Sequence, residues 1–295
     1  MFVILGATGK VGRSTITALR REGKSVRAVV RERSKAEDLA QLGCEMAVAD
    51  LHDGAALARA LDGASVVQVI CPVGSRDGDT AVEMKRSIET VAVTLEGTQV
   101  QTVLAISDYG AELEAGTGIT VLFNILEARF RRLPSRLIFL RSAEHMQNWA
   151  RVLKVAAQTG QLQSLHHPLT KAFPTVSAFD VGTMAADILL SPAQDHESPY
   201  IVHAEGPRRY TALDVAKVVG DLLGREVSAY ELPRTKWDAM FHQAGLGDNY
   251  ARLVAEMYDA HNAGRIDVHP ATAEVRRGQT ELPDALRPLM QAASG

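Results

Sequence analysis

Residues 1–16 read MFVILGATGKVGRSTI. Four apolar residues, Phe2–Leu5, run into Gly6, Gly9 and Gly12, and a helix-spaced segment follows. The apolar stretch predicts a buried strand, and Lys10–Glu22 a helix stopped by Gly23. A glycine-rich turn at such a junction suits an anion. A helix N-terminus carries unpaired N–H groups and a partial positive charge, so it attracts a pyrophosphate. Glycine lets the chain turn tightly and lets backbone approach a phosphate with no Cβ between them. The spacing is G-x-x-G-x-x-G rather than the commoner G-x-G-x-x-G. Gly6, Thr8, Gly9, Lys10, Val11 and Gly12 are therefore expected to hold the diphosphate of a dinucleotide.

The alternation continues along the chain. Strands are expected at Val26–Val30, Glu45–Ala49, Val66–Ile70, Val100–Ile106 and Leu137–Leu140. Helices are expected at Ser34–Leu42, Asp53–Leu61, Asp79–Glu96 and Val121–Arg131, with Ser34 and Asp53 as caps. The strands are apolar without period-two alternation, so they predict a parallel sheet buried on both faces. Right-handed crossovers then give an α/β, doubly wound, Rossmann-type sheet.

The second half changes character. Asp180 is expected to cap a helix to Leu190, followed by a strand at Tyr200–Ala204. Thr211 and Asp214 form a capping box that opens a helix ending at Gly224. A strand near Glu226–Leu232 and helices at Lys236–Ala244 and Asn249–Ala263 come next. From Ala271 the pattern is weak and fits a frayed tail or a final helix. The expected division is a coenzyme-binding domain at 1–150, with late strands returned from about 175–205, and a smaller C-terminal α/β domain at 151–295 for substrate or partner.

The second strand decides which dinucleotide. An acidic residue about 20 residues past the glycines holds the ribose hydroxyl of NAD. Here the strand ends AVVRERSK, with Arg31 where the acid would stand and Arg33 and Lys35 after it. A guanidinium forks onto a phosphate. NADP(H) is therefore expected in preference to NAD(H), with Arg31 and Arg33 on the extra phosphate and Glu32 pointing away. The third strand ends VADLHD. Asp50 could accept from the adenine amino group with Leu51 on the ring, or serve as a turn or capping aspartate. Cys71 and Pro72 end the fourth strand, where backbone passes the coenzyme ribose. Cys71 reads as a buried structural thiol before a redox one.

Composition narrows the classes. The chain has 295 residues, 46% hydrophobic and 23% charged, with a net charge of −3. That supports a sizeable core in one large or two small domains and argues against direct nucleic-acid binding. Cys44 and Cys71 are the two cysteines; neither has metal-ligand spacing, so no metal site is expected and a reducing compartment is favoured. No segment reads as a signal peptide or a membrane span, which makes a cytoplasmic location the default.

The motifs GATGKVG, VVRERSK, VADLHD, ISDYGAE and LRSAEHMQNW, in that order, resemble the NmrA-like proteins, atypical members of the short-chain dehydrogenase/reductase superfamily. FDVGTMAADIL and WDAMFHQAG extend the resemblance through the second half. It implies a Rossmann domain and a smaller C-terminal domain with a cleft between them. It also implies one of two activities: NADPH-dependent reduction of quinones or azo dyes, or NADP binding without turnover by a redox sensor that regulates a protein partner. The superfamily's Tyr-x-x-x-Lys pair is absent, because none of the 6 tyrosines has Lys four residues later. Where relatives place Lys or His before a helix glutamate, this chain has Phe123, with Glu127 as the glutamate. Ser107 and Tyr109, after the fifth strand, are the best-placed polar groups for catalysis, and Ser107 should also touch the coenzyme. Tyr109, Phe123 and Asn148 are expected to line the substrate cleft. Arg141 reads as structural, and His166 and His167 as loop residues, one of which could line the cleft. The leading reading is an NADPH-dependent reductase of a small electron-poor substrate such as a quinone, working as a monomer or homodimer.

Overall fold

The computed structural model describes residues 1–72, 78–191, 197–269 and 274–294. In the first half the elements are β1 (Phe2–Leu5), α1 (Lys10–Arg21), β2 (Val26–Val30), α2 (Glu37–Gln41), β3 (Glu45–Val48) and α3 (Gly54–Leu61). Then come β4 (Val66–Val69), α4 (Thr80–Glu96), β5 (Thr102–Asp108), α5 (Thr120–Phe130) and β6 (Arg136–Ser142). The chain continues through β7 (Glu144–His145), α6 (Ala150–Thr159), β8 (Gln161–Ser164), β9 (Thr175–Val176), α7 (Ala178–Leu190) and β10 (Tyr200–Glu205). It closes with α8 (Ala212–Leu223), β11 (Ser228–Glu231), α9 (Trp237–Gln243), α10 (Asp248–Asn262), β12 (Val275–Arg277) and α11 (Leu282–Ser294).

Eight strands form one parallel sheet in the order β12-β10-β6-β5-β4-β1-β2-β3. The order reverses between β1 and β4, which opens a crevice at their carboxyl ends where ligands of such sheets bind. One face carries α3, α4 and α5 over Val67, Val69, Val103 and Phe139. The other carries α1 and α7, with Ile16 and Leu19 of α1 and Val181 and Ala185 of α7 fully buried. Burial on both faces explains why the strands read as continuous apolar runs.

Helix α7 comes from the second half yet packs directly on α1. Thr15 Oγ1 donates to the Gly182 carbonyl at 3.1 Å, and Ser14 Oγ to the Phe179 carbonyl at 2.6 Å. A Cβ at Gly182 would stand 2.4 Å from the Val11 carbonyl oxygen, so only glycine permits this approach. Two small parallel pairs, β11 with β8 and β7 with β9, lie outside the main sheet.

Several local expectations change. Asp53 caps α3 by accepting from the Ala56 amide, Asp79 caps α4, and the Thr211–Asp214 box is formed in full. Ser34 makes no cap; a 3-10 turn at Arg33–Ala36 precedes the short α2. Ser177 rather than Asp180 caps α7, because Asp180 accepts from the amide and hydroxyl of Thr280 at 2.9 and 2.7 Å. Ala271, where the weak tail was expected to start, lies outside the described residues. Beyond it the chain is ordered as β12 and then α11, which buries Leu282, Ala285, Leu286 and Met290 against α6 and α8.

Candidate coenzyme and substrate site

The first turn behaves as its residue types require. Gly6 takes φ +78°, and a Cβ there would sit 2.9 Å from the Ile70 Cβ. A Cβ on Gly12 would sit 2.4 Å from the Gly6 carbonyl oxygen. Both positions therefore demand glycine, one for conformation and one for space. Gly9 stands at the N-cap of α1 and offers no side-chain acceptor, so the first-turn amides carry no side-chain cap. Such a terminus suits a phosphate.

This turn forms the floor of a pocket of about 460 Å³, within the range expected of small-ligand sites. Gly6, Thr8, Gly9, Ala49, Leu51, Ile70 and Pro72 are among the residues that line it. Arg31, Glu32, Lys35 and Arg13 supply the charged wall. Arg13 is the residue that the sequence reading passed over. Its Nε donates to the Thr8 carbonyl and its Nη2 to the Lys35 carbonyl, each at 2.9 Å, and it also pairs with Asp38. It thereby ties the glycine turn to the loop after β2.

Other expectations move. Arg33 does not line the pocket; it begins the 3-10 turn, and Lys35 stands in its place. Glu32 lines the pocket instead of pointing away, with Lys35 Nζ 2.9 Å from its carboxylate. That ammonium holds the Glu32 carboxyl below the usual range. Lys10, Val11 and Gly12 are not among the lining residues; Lys10 is exposed, and Val11 is buried in the core under α7. Leu51 and Pro72 are in the wall, whereas Asp50 turns its Oδ1 onto the His52 amide at 2.8 Å, and Cys71 is buried. Burial pushes the Cys71 thiol up to about 12, which makes it inert near neutrality.

The residues expected at the chemistry are mostly engaged elsewhere. Ser107 is buried and donates to Glu127 Oε1 at 2.7 Å. Glu127 is gripped at both oxygens by Arg141, at 2.9 and 2.8 Å, and Arg141 also reaches Glu112 at 2.5 Å. Tyr109, expected to face substrate, is only 1% exposed and meets the ring of His203 edge-on at 5.1 Å. Burial drives its phenol far above the ordinary value. Phe123 packs on the core under α5.

Asn148 belongs to a separate small cavity that includes Glu144, Trp149, His166, Met240 and Tyr258. Glu144 accepts from His166 Nε2 at 2.8 Å and from the Tyr258 hydroxyl at 2.5 Å, and Asn148 Nδ2 lies 3.4 Å away. Burial acts to raise the Glu144 carboxyl, but His166 and these hydrogen bonds hold it down at about 2. His166, read as a loop residue, is thus a buried partner of that carboxylate, stacked on Phe173 at 3.6 Å. Among the described residues no helix is long and apolar enough to cross a membrane.

Residues 6–131 match the family described as NAD(P)H-binding. Over 259 residues the chain is 21% identical to the NAD(P)H azoreductase of Xenophilus azovorans, covering 88% of this chain and 86% of that protein. It superposes on the NADPH complex of the quinone oxidoreductase QOR2 from Escherichia coli with a TM-score of 0.81 at 21% identity, over 98% of this chain and 99% of that one. NmrA, a negative transcriptional regulator solved with NADP, gives 0.69 at 15% identity, over 98% and 91% of the two chains. Residues 6–131 thus match an NAD(P)H-binding family, and the chain as a whole shares the Rossmann-like fold of these solved structures.

Proposed function

We propose that this protein is an NADPH-dependent reductase of small, flat, electron-poor molecules such as quinones. The observation that carries the coenzyme choice is the wall formed by Arg31, Lys35 and Arg13 beside Ala49 and Leu51. Three cations there suit a ribose phosphate, which NADP carries and NAD lacks. The diphosphate would lie on the Gly6–Gly9 turn, and Pro72 and Ile70 would flank the path toward the carboxyl ends of β4 and β5. Bound NADPH supplies the hydride. The chain's share is to bind, orient and shield the reacting pair, and positioning alone supplies much of the rate. The azoreductase and quinone oxidoreductase relatives support this reading.

A second reading, an NADP(H)-binding sensor without turnover, draws on Phe123 at the general-acid position and on the likeness to NmrA. One assay separates them. The purified protein is mixed with NADPH and a panel of quinones, and absorbance at the nicotinamide band is followed. Consumption above a heat-killed control is the expected result. Tight NADPH binding with no consumption of any acceptor would overturn the reductase and leave the sensor.

A further inference from the structure

Arg13 lines the pocket over the glycine turn, yet each nitrogen of its guanidinium meets an oxygen of the protein. Nε donates to the Thr8 carbonyl and Nη2 to the Lys35 carbonyl, each at 2.9 Å, and Nη1 pairs with Asp38. The three partners belong to three pieces of chain: the glycine turn, the 3-10 turn after β2, and the first turn of α2. A guanidinium is a planar fork of five donors in fixed directions, so it can hold three such oxygens at once. A lysine ammonium offers its donors from a single point.

The two ends of this brace differ in how much they need it. The glycine turn closes on itself. The Gly9 amide donates to the Gly6 carbonyl at 3.2 Å and the Arg13 amide to the Gly9 carbonyl at 2.9 Å. The 3-10 turn has weaker support. Glu32 at its N-cap makes no side-chain cap, the Lys35 amide reaches the Glu32 carbonyl at 3.3 Å, and Ala36 is its buried residue. The Lys35 carbonyl is where Arg13 takes hold of it.

That hold decides where the Lys35 ammonium can reach. Lys35 lines the same pocket, with Nζ 2.9 Å from the Glu32 carboxylate in the wall. A long exposed side chain has many rotamers, so only a fixed backbone keeps its charged end over one spot. The charge of Arg13 itself is met by Asp38.

We infer that Arg13 is a positioning residue that sets the preference for NADPH over NADH through Lys35. It holds the loop after β2 against the glycine turn, and Lys35, rather than Arg13, meets the extra phosphate. The inference rests on the coenzyme choice proposed above.

The test uses the full chain as wild type, Arg13→Lys, Lys35→Met and the double variant. The two side chains are 31% and 69% exposed, so these variants should fold. NADPH and NADH are titrated in parallel by fluorescence. Wild type should bind NADPH more tightly than NADH. Lys35→Met removes one charged contact to phosphate and should weaken NADPH about tenfold, and NADH little. Arg13→Lys keeps the charge but loses the three-way hold, so it should weaken NADPH by a similar factor with NADH little changed. The double variant should lose no more than the larger single loss, because one residue acts through the other. Hydrogen exchange of the coenzyme-free proteins, read by mass spectrometry, should be faster across residues 31–42 in Arg13→Lys than in wild type. Retained NADPH affinity in Arg13→Lys would overturn the inference, as would unchanged exchange across that loop. Losses that multiply in the double variant would make Arg13 a phosphate ligand in its own right, and equal losses of both coenzymes in Arg13→Lys would make it a brace of the glycine turn; either overturns the inference. Wild type with no preference for NADPH would instead overturn the coenzyme choice and this role with it.

Discussion

Arg141 and Glu127 face each other as a two-point ion pair inside the protein, each side chain 3% exposed, with Nη2 to Oε2 at 2.8 Å. The pair joins β6 to α5 behind the expected catalytic edge, and Ser107 completes it. Glu127→Gln leaves the buried Arg141 charge to Glu112 alone. The loss of two charge-assisted hydrogen bonds should cost about 1.5–3 kcal/mol of stability, read from urea unfolding. A cost within the range of surface substitutions would mean that water reaches the pair.

Arg31 stands exposed in the pocket over the glycine turn, with Lys35 and Arg13 also in its lining. Losing one charge-assisted contact of a guanidinium to phosphate is worth about 1.5–3 kcal/mol, or roughly 10- to 100-fold in affinity. Arg31→Ala should weaken NADPH by that factor and NADH little, in parallel fluorescence titrations. Equal losses for both coenzymes would place the extra phosphate elsewhere.

A methyl at position 12 has nowhere to go, since the Gly6 carbonyl oxygen is 2.4 Å from its place. Gly12→Ala must push α1 away from the turn, which lifts the first-turn amides off any diphosphate. NADPH affinity should fall at least about tenfold, a loss of about 1.4 kcal/mol, while circular dichroism keeps its native helix signal. Unaltered affinity would show that the turn tolerates displacement.

Acid should act in two stages. His261 is 8% exposed, and burial brings it down from 6.5 to about 4, with His166 and Lys171 adding to the effect and Glu144 opposing it. The unfolded chain then binds more protons between those values, so stability falls as pH drops from 6.5 toward 4. Glu144 has its folded value near 2 against 4.5, so its contribution is present above 4.5 and is lost as pH falls to 2. His145 is brought down to about 4 by burial in the same way, so melting temperature against pH should show both declines, and His261→Gln should make the upper one shallower without removing it. An unchanged upper decline in that variant would assign it to other groups.

The sequence pattern carried the strands and helices of the first half because both faces of the sheet are covered, which leaves unbroken apolar runs with glycine stops. The caps at Asp53 and Thr211 were legible for a similar reason: their chemistry is local. What stayed hidden is what distant segments decide. Tyr109 turns inward because His203 of β10, far along the chain, provides a ring to pack on. Arg13 carries no signal in the sequence pattern, and only the loop after β2, folded back beside α1, makes it a pocket wall. The strand β12 is three residues long with two arginines, and it forms by pairing with β10 rather than by its own preference.

The close crossing at Gly182 also has a consequence for biosynthesis. Thr15 waits for a partner 167 residues downstream, and the apolar flank of α1 stays uncovered until α7 has left the ribosome. The glycine turn is thus among the first segments synthesised but is braced only once α7 has been made. A nascent chain halted before α7 would present that flank to chaperones rather than a finished nucleotide cradle.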